Sequence, residues 1–394
     1  MDPGDSRGLS SSESGWPHCN VARNYPTQIA TEVMPSIDVC RLRLANQHLT
    51  TQRLEKASDV VRLFGAMQAQ EYSPAKWGVA QRTTSATDAE VEKEIREGSI
   101  LRTHVLRPTW HFVAATDIRW LLKLSAPRVR AAMASYDQKL EIDAAVLKRS
   151  RAVLTKALRD GNQLTRAELA TELTDARVRA DGTQRLAHLV MHAELDGVIC
   201  SGARRDKQFT YALLEERVPP AKELERDASL AELATRYFTT RGPATVDDFA
   251  WWSGLAKADA RRAVEATTQV LDRAVIGDRG YWFPQYASGT ARGSPIARLL
   301  PIYDEYFIGL KDRAAMQIRL QKARRDPFTA LTLRHVVTVD GQIVGGWNWK
   351  SKGGTVMVEL VNTLRLTRVE RQSIVGQVER FGAFFGAAGS LTPT

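Results

Sequence analysis

Residues 63–74 have the sequence LFGAMQAQEYSP, and the rest of the chain is organised around this stretch. Two glutamines, Gln68 and Gln70, stand two positions apart between a helix-like segment and Pro74. On a continuing helix two such side chains point about 200° apart, whereas in an extended segment they share one side. Proline disfavours helical geometry in the residue before it, and Ser73 is a good helix cap. We therefore expect the glutamines on the last turn of one helix and on the extended step that follows it.

A pair of primary amides has a limited chemical repertoire. An amide is neutral and cannot act as a general base, but its carbonyl acceptor and two N–H donors can hold a water. The same carbonyl dipole can lie beside a developing positive charge. Such help suffices only for a good leaving group, and an N7-alkylated purine is one because it is already cationic. The alternative is that Gln68 and Gln70 are ordinary polar residues at a helix end.

Length, charge and cysteine content limit the class of protein. The chain has 394 residues, of which 43% are hydrophobic, enough for about two to four small domains with real cores. Its 55 Lys and Arg against 45 Asp and Glu give a formal net charge of +10, which suits a polyanionic partner. Cys19, Cys40 and Cys200 are too few and too scattered for a disulfide framework or a Cys-x-x-Cys metal site, which favours a reducing cytoplasm. The sequence contains neither an apolar run of membrane-spanning length nor the apolar core of a signal peptide.

The first part of the chain has the element order of a winged helix. Residues 1–33 are rich in Ser, Gly, Pro and Asp and are predicted to be a disordered lead, with Met34 as a candidate translation start. Three helical patterns follow, and then two strands are expected at residues 100–106 and 109–113. Helices at residues 117–125 and 127–137 would lead onward to the next unit.

The same order of helices and strands recurs twice, and a different pattern then follows. We predict an α+β fold of three tandem winged helix-turn-helix units at residues 34–140, 141–220 and 221–290. Residues 291–394 are expected to form a C-terminal antiparallel β module with a terminal helix. Its strands are expected to include residues 298–301 and an extended segment at 303–308, and Asp340-Gly341 is a strong hairpin signal.

Three stretches of this sequence resemble the AlkZ/YcaQ-type winged-helix DNA glycosylases. They are residues 63–70 (LFGAMQAQ), 101–113 (LRTHVLRPTWHFV) and 299–306 (LLPIYDEY), and the resemblance covers roughly residues 35–386. It implies three winged helices and a β-rich module arranged as a C-shaped clamp. It also implies that Gln68 and Gln70 are the catalytic Gln-x-Gln pair, which positions water against the sugar of an alkylated or cross-linked purine.

The second stretch departs from the family pattern. There the family has Arg-Gly-Thr followed by an apolar residue and His, whereas this chain has Arg107-Pro108-Thr109-Trp110-His111. Proline in place of glycine forbids a positive φ at that position. The departure puts the substrate range in question more than the fold.

Candidate DNA contacts fall into two groups. Residues near the glutamine pair could line the same groove or form a polar strand face: Arg102, His104, Arg107, Trp110 and His111. Arg204, Arg205 and Lys207 stand on a predicted hairpin tip, from which charge can reach a phosphate without burial. The alternative for the tip is a solvated turn. Residues 303–305 are expected to shape the far wall of the site or to cap a sheet.

No cofactor or metal site is predicted. His188 and His192 have the i, i+4 spacing of two zinc ligands, but Leu189 stands where His-Glu-x-x-His has its glutamate. We therefore predict a metal- and cofactor-independent DNA glycosylase acting on double-stranded, preferentially damaged DNA. It is expected to be a cytoplasmic, nucleoid-associated monomer with no membrane and no obligate protein partner.

The alternative function is a non-catalytic winged-helix DNA-binding protein or transcriptional regulator, since winged helices more often bind than catalyse. A regulator usually brings two identical reading helices to a palindrome as a dimer. Three unlike units without a heptad or an obvious dimerisation helix favour the monomeric clamp.

Overall fold

The computed structural model describes residues 38–50, 53–221, 223–276, 278–285, 293–325 and 335–392. The predicted disordered lead at residues 1–33 and the candidate start at Met34 lie outside the described residues. None of the described helices is both long enough and apolar enough to cross a bilayer.

The first unit places a three-stranded sheet beside a set of helices. Its elements are α1 (Val39–Asn46), α2 (Ala57–Phe64), β1 (Met67–Gln68), α3 (Tyr72–Ala80), α4 (Asp88–Glu97), β2 (Ile100–His104), β3 (Trp110–Ala114) and α5 (Ile118–Lys139). The strands are antiparallel in the order β1-β3-β2. The hairpin β2–β3 was predicted, and β1 was not. The two helices predicted at 117–125 and 127–137 are one helix that continues through Pro127.

Local sequence explains where the helices of this unit begin and end. Thr87 and Glu90 form a capping box that starts α4, and Gly98 ends it with φ 86°. Gly65 ends α2 with φ 73°, a conformation that an L side chain rarely adopts. The chain turns there and enters β1 only two residues later.

The second unit repeats this arrangement, and the third has a two-stranded version. The second consists of α6 (Ala144–Ala157), β4 (Leu164–Thr165), α7 (Arg166–Asp175), α8 (Thr183–Leu195), β5 (Ile199–Ser201), β6 (Thr210–Leu213) and α9 (Leu214–Arg217), with strand order β4-β6-β5. The third consists of α10 (Arg226–Arg241), α11 (Val246–Ser253), α12 (Lys257–Glu265), β7 (Leu271–Ile276) and β8 (Arg279–Pro284). In the third unit a single bridge from Ala244 to Trp282 takes the place of the short strand.

The C-terminal part is a five-stranded sheet that curls into a half-barrel. Its elements are β9 (Ala297–Leu300), α13 (Glu305–Ile308), a 3-10 turn (Ala314–Gln317), α14 (Ile318–Lys322), β10 (His335–Val339), β11 (Gln342–Lys352), β12 (Thr355–Val361), α15 (Arg368–Phe384) and β13 (Ala388–Leu391). The strand order is β13-β12-β11-β10-β9, and β13 runs parallel to β12. The extended segment predicted at 303–308 is wrong, because Asp304 accepts a hydrogen bond from Tyr306 N at 2.8 Å and so starts α13.

Within the described residues, the buried hydrophobic side chains form three clusters, and two of them join different predicted units. In one of these Trp77 of α3 packs edge-on against Phe381 of α15, with ring centroids 5.0 Å apart. The first unit therefore shares core packing with the C-terminal sheet. The boundaries of the four units stay predictions.

Candidate active site

The structure places the two glutamines differently from the sequence-based expectation. Gln68 lies in β1 and pairs with His111 of β3, while Gln70 follows the strand and is exposed. Neither is on the last turn of a helix, because Gly65 ends α2 before the pair. The cap of α3 was also misassigned, since Glu71 occupies that position and not Ser73. The extended conformation expected between the glutamines is present, with Ala69 N donating to Trp110 O at 2.8 Å.

Three polar side chains form a row across the first sheet. Gln68 and Thr103 are both Cα partners of His111, from opposite sides of β3. Directly paired residues of an antiparallel ladder project from the same face, with Cβ atoms about 4.5–5.5 Å apart. Thr103 and His111 are fully buried and Gln68 is half-buried.

Polar atoms without partners are concentrated in and beside this row. Gln68 Oε1, Thr103 Oγ1 and His111 Nε2 are buried and have no hydrogen-bond partner among the described residues. The same holds for Thr109 Oγ1 and for two guanidinium nitrogens of Arg107. A buried donor or acceptor without a partner costs about 1–3 kcal/mol. Such a concentration indicates a place where a substrate group or a water completes the bonding.

His111 is a neutral hydrogen-bond acceptor. Its Nδ1 lies 2.9 Å from the Thr109 carbonyl oxygen, which only accepts, so Nδ1 carries the proton and Nε2 the lone pair. Burial, with a smaller contribution from the Arg107 charge, holds the pKa of His111 well below its ordinary value of 6.5. The imidazole is therefore unprotonated throughout the physiological range.

A buried ion pair holds the backbone that carries Gln68. Glu305 Oε1 accepts from Gln68 N at 2.8 Å, and its Oε2 accepts from Arg241 Nη2 at 2.6 Å. Arg241 in turn donates to the carbonyls of Phe64 at 3.2 Å and Ala66 at 2.9 Å. Burial lowers the pKa of Arg241, and Glu305 opposes that shift. The pair thus fixes the turn from α2 into β1.

Arg102 holds the next two residues of the same segment. Its Nε donates to Ala69 O at 3.0 Å and its Nη2 to Gln70 O at 3.3 Å. The guanidinium lies over Trp110, 4.2 Å from the ring centroid, and Arg102 is only 8% exposed. This arginine was predicted to contact DNA, but its burial and its bonds fit a residue that positions Gln70.

Comparison with known proteins decides the family. Residues 61–384 match the family described as DNA glycosylase AlkZ-like. The chain belongs to this family.

A curated protein sequence and a solved structure, both from Streptomyces sahachiroi, agree with that assignment. An interstrand DNA cross-link repair glycosylase is 25% identical over 320 residues, covering 77% of this chain and 85% of the relative. The solved structure of the DNA glycosylase AlkZ superposes with a TM-score of 0.73 at 21% identity, covering 90% of this chain and 98% of that one. The predicted resemblance, the α+β fold and the function as a DNA glycosylase, a hydrolase acting on DNA, are confirmed.

The other candidates near the candidate active site are largely turned inward. His104 Nδ1 bonds to Glu194 of α8, and both residues are buried. Trp110 packs against His104 with ring centroids 4.5 Å apart. Arg107 is half-buried, with its guanidinium 5.1 Å from the centre of the Trp251 ring. With Pro108 in place of glycine, the positive φ of this hairpin falls on Leu106, at 63°.

The predicted hairpin tip of the second unit is only partly free. Arg204 lies 5.0 Å from the Tyr72 ring centre, and Arg205 is bonded to Glu168 at 2.7 Å. Lys207 is exposed. The role of these residues in DNA binding stays a prediction.

The two histidines with zinc-like spacing share a carboxylate. His188 Nδ1 lies 2.7 Å from one oxygen of Asp137, and His192 Nε2 lies 2.9 Å from the other. Among the residues that the structure describes, no group of three or more His, Cys, Asp or Glu side chains could hold a metal.

Sequence analysis missed Arg241 and named Glu305 only as a possible wall of the site. Arg241 stands at the end of α10 in the structure, and no motif surrounds it in the sequence, so its pattern carries no functional signal. Glu305 lies in the LLPIYDEY stretch, which was the available signal.

Proposed function

We propose that this glycosylase excises N-alkylated purines, including purines held in interstrand cross-links, with a water bound by Gln68, Gln70 and His111. The observation that carries the proposal is the pair of buried, unpartnered acceptors, Gln68 Oε1 and His111 Nε2, on one face of the sheet. The printed name of the Streptomyces sahachiroi relative supports the extension to cross-links.

The water in this arrangement acts as a nucleophile without a strong base. Its two hydrogens are donated to Gln68 Oε1 and His111 Nε2, which leaves a lone pair directed at the anomeric carbon. The glycosidic electron pair leaves with the purine, which is cationic before cleavage and neutral afterwards. The water oxygen bonds to the sugar carbon and its surplus proton passes to solvent.

The amide dipoles stabilise charge that develops during cleavage. The sugar becomes positive as the bond breaks, so a nearby carbonyl oxygen lowers the barrier. Gln70 is exposed, and its Oε1 accepts a long hydrogen bond from Trp110 N at 3.5 Å. It is therefore free to turn toward the sugar when DNA binds, while Arg102 holds its backbone.

We further propose that the enzyme is a cytoplasmic monomer that requires neither metal nor cofactor. Its net positive charge acts through DNA phosphates, so affinity for undamaged duplex should be independent of sequence and fall steeply with salt. Full activity should survive EDTA. A stoichiometric metal in the purified protein, or a strong preference for one operator sequence, would contradict this part.

The test is excision from a duplex carrying 7-methylguanine and from one carrying a nitrogen-mustard cross-link, followed by alkaline cleavage of abasic sites. Gln68→Ala is expected to lose on the order of 10²-fold in rate, as is typical when one preorganised group is removed. Gln372→Ala, an exposed glutamine on α15, serves as the matched control and should be unaffected. Wild-type excision of neither lesion would favour the non-catalytic DNA-binding alternative.

A further inference from the structure

Three arginines converge where the first unit meets the C-terminal sheet. They are Arg53, in the segment before α2, Arg298 on β9 and Arg380 on α15, and we call them the arginine cluster. None of them forms an ion pair with a carboxylate among the described residues. The cluster shares no residue with the candidate active site.

Hydrogen bonds bring two members to the turn that follows α3. Arg380 Nη2 donates to the carbonyls of Ala80 at 3.1 Å and Thr83 at 2.6 Å. Leu54, directly after Arg53, forms a bridge with Thr83. Arg53 and Arg380 therefore both lie close to this turn.

The strand that carries Arg298 is held against the same helix. Leu299 O accepts from Trp77 Nε1 at 2.8 Å, and Trp77 O accepts from Gln81 N at 2.9 Å. Arg298 itself is 5% exposed, and its Nη1 donates to Ala297 O at 2.5 Å. The strand residue next to Arg298 is thus bonded to α3 one helical turn before Gln81.

Several buried polar atoms of this region have no hydrogen-bond partner among the described residues. Arg53 Nε, Arg298 Nε and Arg380 Nη1 are buried without a partner among the described residues. Thr338 is the Cα partner of Arg298, and Gln377 stands about one turn before Arg380. The further buried atoms without a described partner are Gln81 Nε2, Gln81 Oε1, Thr338 Oγ1 and Gln377 Oε1.

The arginines of the cluster also repel one another. Burial, followed by the charges of Arg53 and Arg380, lowers the pKa of Arg298 to about 9. Burial and Arg53 lower the pKa of Arg380 to about 10. Both therefore remain charged at neutral pH.

Two other buried arginines of the protein each have a carboxylate partner. Arg82 is paired with Asp304 at 2.9 Å and Arg241 with Glu305 at 2.6 Å. A buried charge without a counter-charge is strongly destabilising. Within the described part of the chain, the arginine cluster has no carboxylate partner of the kind that these two arginines have. A negative charge supplied from outside the chain would complete it.

We propose that the arginine cluster binds a small tetrahedral oxyanion, inorganic phosphate or the phosphate group of a free nucleotide. The guanidinium fork matches two oxygens of a phosphate, and arginine is the preferred residue for such recognition. Gln81 Nε2 and Thr338 Oγ1 supply additional neutral donors. Because Arg298 is 5% exposed, a small ion reaches it more readily than a DNA backbone does. The bound anion ties α15 and β9 to the first unit, which contains the glutamine pair.

The test is thermal unfolding of the full-length chain in inorganic phosphate and in sodium chloride of equal ionic strength. A ligand that binds only the folded state raises Tm, and a 100-fold excess over Kd should raise it by about 3 °C. Arg298→Met should abolish the phosphate-specific rise, whereas Arg149→Met, at an exposed arginine on α6, should keep it. The same Tm in phosphate and in chloride for the wild type would overturn the proposal.

Two further experiments identify the anion and provide a second variant in case the first does not fold. Arg380→Met replaces Arg298→Met if the latter is insoluble, and the same loss of the phosphate effect is expected. A larger Tm rise with adenosine monophosphate than with phosphate would assign the site to a nucleotide, and equal rises to the free ion. If phosphate has no effect but the variants bind undamaged duplex more weakly, with a shallower salt dependence, the cluster binds DNA and the proposal is wrong.

Discussion

The first and second units place different residues at the same point of the same arrangement. In both, a two-residue strand pairs with the last strand of the hairpin, and the sheet orders β1-β3-β2 and β4-β6-β5 correspond. The second short strand ends in Thr165, which caps α7 directly in a capping box with Glu168. The first ends in Gln68, and residues 69–71 separate it from α3.

The polar side chain at the end of the short strand therefore forms different hydrogen bonds in the different units. Thr165 Oγ1 accepts from Glu168 N at 3.3 Å, so its hydrogen-bonding capacity serves the fold. In the third unit Thr245 caps α11 in the same way with Asp248. In the first unit Glu71 caps α3 without any side-chain bond, and Gln68 Oε1 has no described partner. The proposed catalytic glutamine thus stands where residues 69–71 separate the short strand from the helix, so that its side chain does not cap that helix.

The largest effect is expected when the buried ion pair that holds the short strand of the first unit is removed. Glu305→Ala leaves the buried Arg241 charge uncompensated and removes the acceptor of Gln68 N. Breaking a buried ion pair costs about 3–5 kcal/mol, so urea unfolding should show a loss of that order and excision should fall with it. Glu359→Ala, at an exposed carboxylate on β12, is the control. An unchanged urea midpoint for Glu305→Ala would mean that the pair does not support this turn.

The second effect concerns rate. Gln68→Ala and Gln70→Ala should each slow excision on the order of 10²-fold, and the double variant should be scarcely slower than the worse single one, because groups that act as a unit are not additive. Gln70→Asp should retain much more activity than Gln70→Ala, since a carboxylate also holds water and opposes a positive sugar. Single-turnover rates on the 7-methylguanine duplex measure this. Multiplicative losses would show that the glutamines act independently.

Sequence separation decides which features of the fold and of the candidate site could be predicted from the sequence. The hairpin β2–β3 and the extended step at the glutamines are local patterns, and they were placed within a few residues. The capping boxes are also local, but they were not predicted. Glu305 is 237 residues from Gln68, and Arg241 is 177 residues from Phe64. No periodicity connects such positions, so the burial of Arg102 and the function of Arg241 emerged only from the fold. The short strand β1 was missed because two residues carry no alternating pattern.

The third prediction compares a substitution in the second unit with the equivalent substitution in the first. Thr165→Ala removes a helix cap, which costs about 1 kcal/mol of stability, and should leave the excision rate unchanged. Gln68→Ala should slow excision and leave stability nearly unchanged, because it deletes an acceptor that has no hydrogen-bond partner among the described residues. Urea unfolding and single-turnover kinetics on both variants would show the two signatures. A rate loss in Thr165→Ala beyond its loss of folded protein would contradict the division of roles.

The smallest effects concern pH. We expect the free energy of unfolding to depend modestly on pH and the excision rate to be independent of pH near neutrality. An unfolded histidine has its ordinary pKa of about 6.5, whereas burial holds the pKa of folded His111 well below that value, and burial lowers that of His335 as well. Below about pH 6.5 the unfolded state therefore binds more protons than the folded state, so the free energy of unfolding should fall as pH falls. Tm measured at pH 7.5 and 5.5 should show this decrease, and it should be smaller in His111→Asn.

Excision by the folded enzyme should behave differently, because His111 Nε2 keeps its lone pair while the residue stays unprotonated. The rate on 7-methylguanine, measured below Tm, should be flat from about pH 8 to about pH 6, across the range where an ordinary histidine titrates. It should decline only at lower pH, where protonation of the buried imidazole replaces an acceptor by a donor and displaces the water. In Gln372→Ala the flat profile should persist. A wild-type rate that halves near pH 6.5 would show that the acceptor is a solvent-exposed base and not His111, and Gln68 and Thr103 would then be the members of the row left to hold the water.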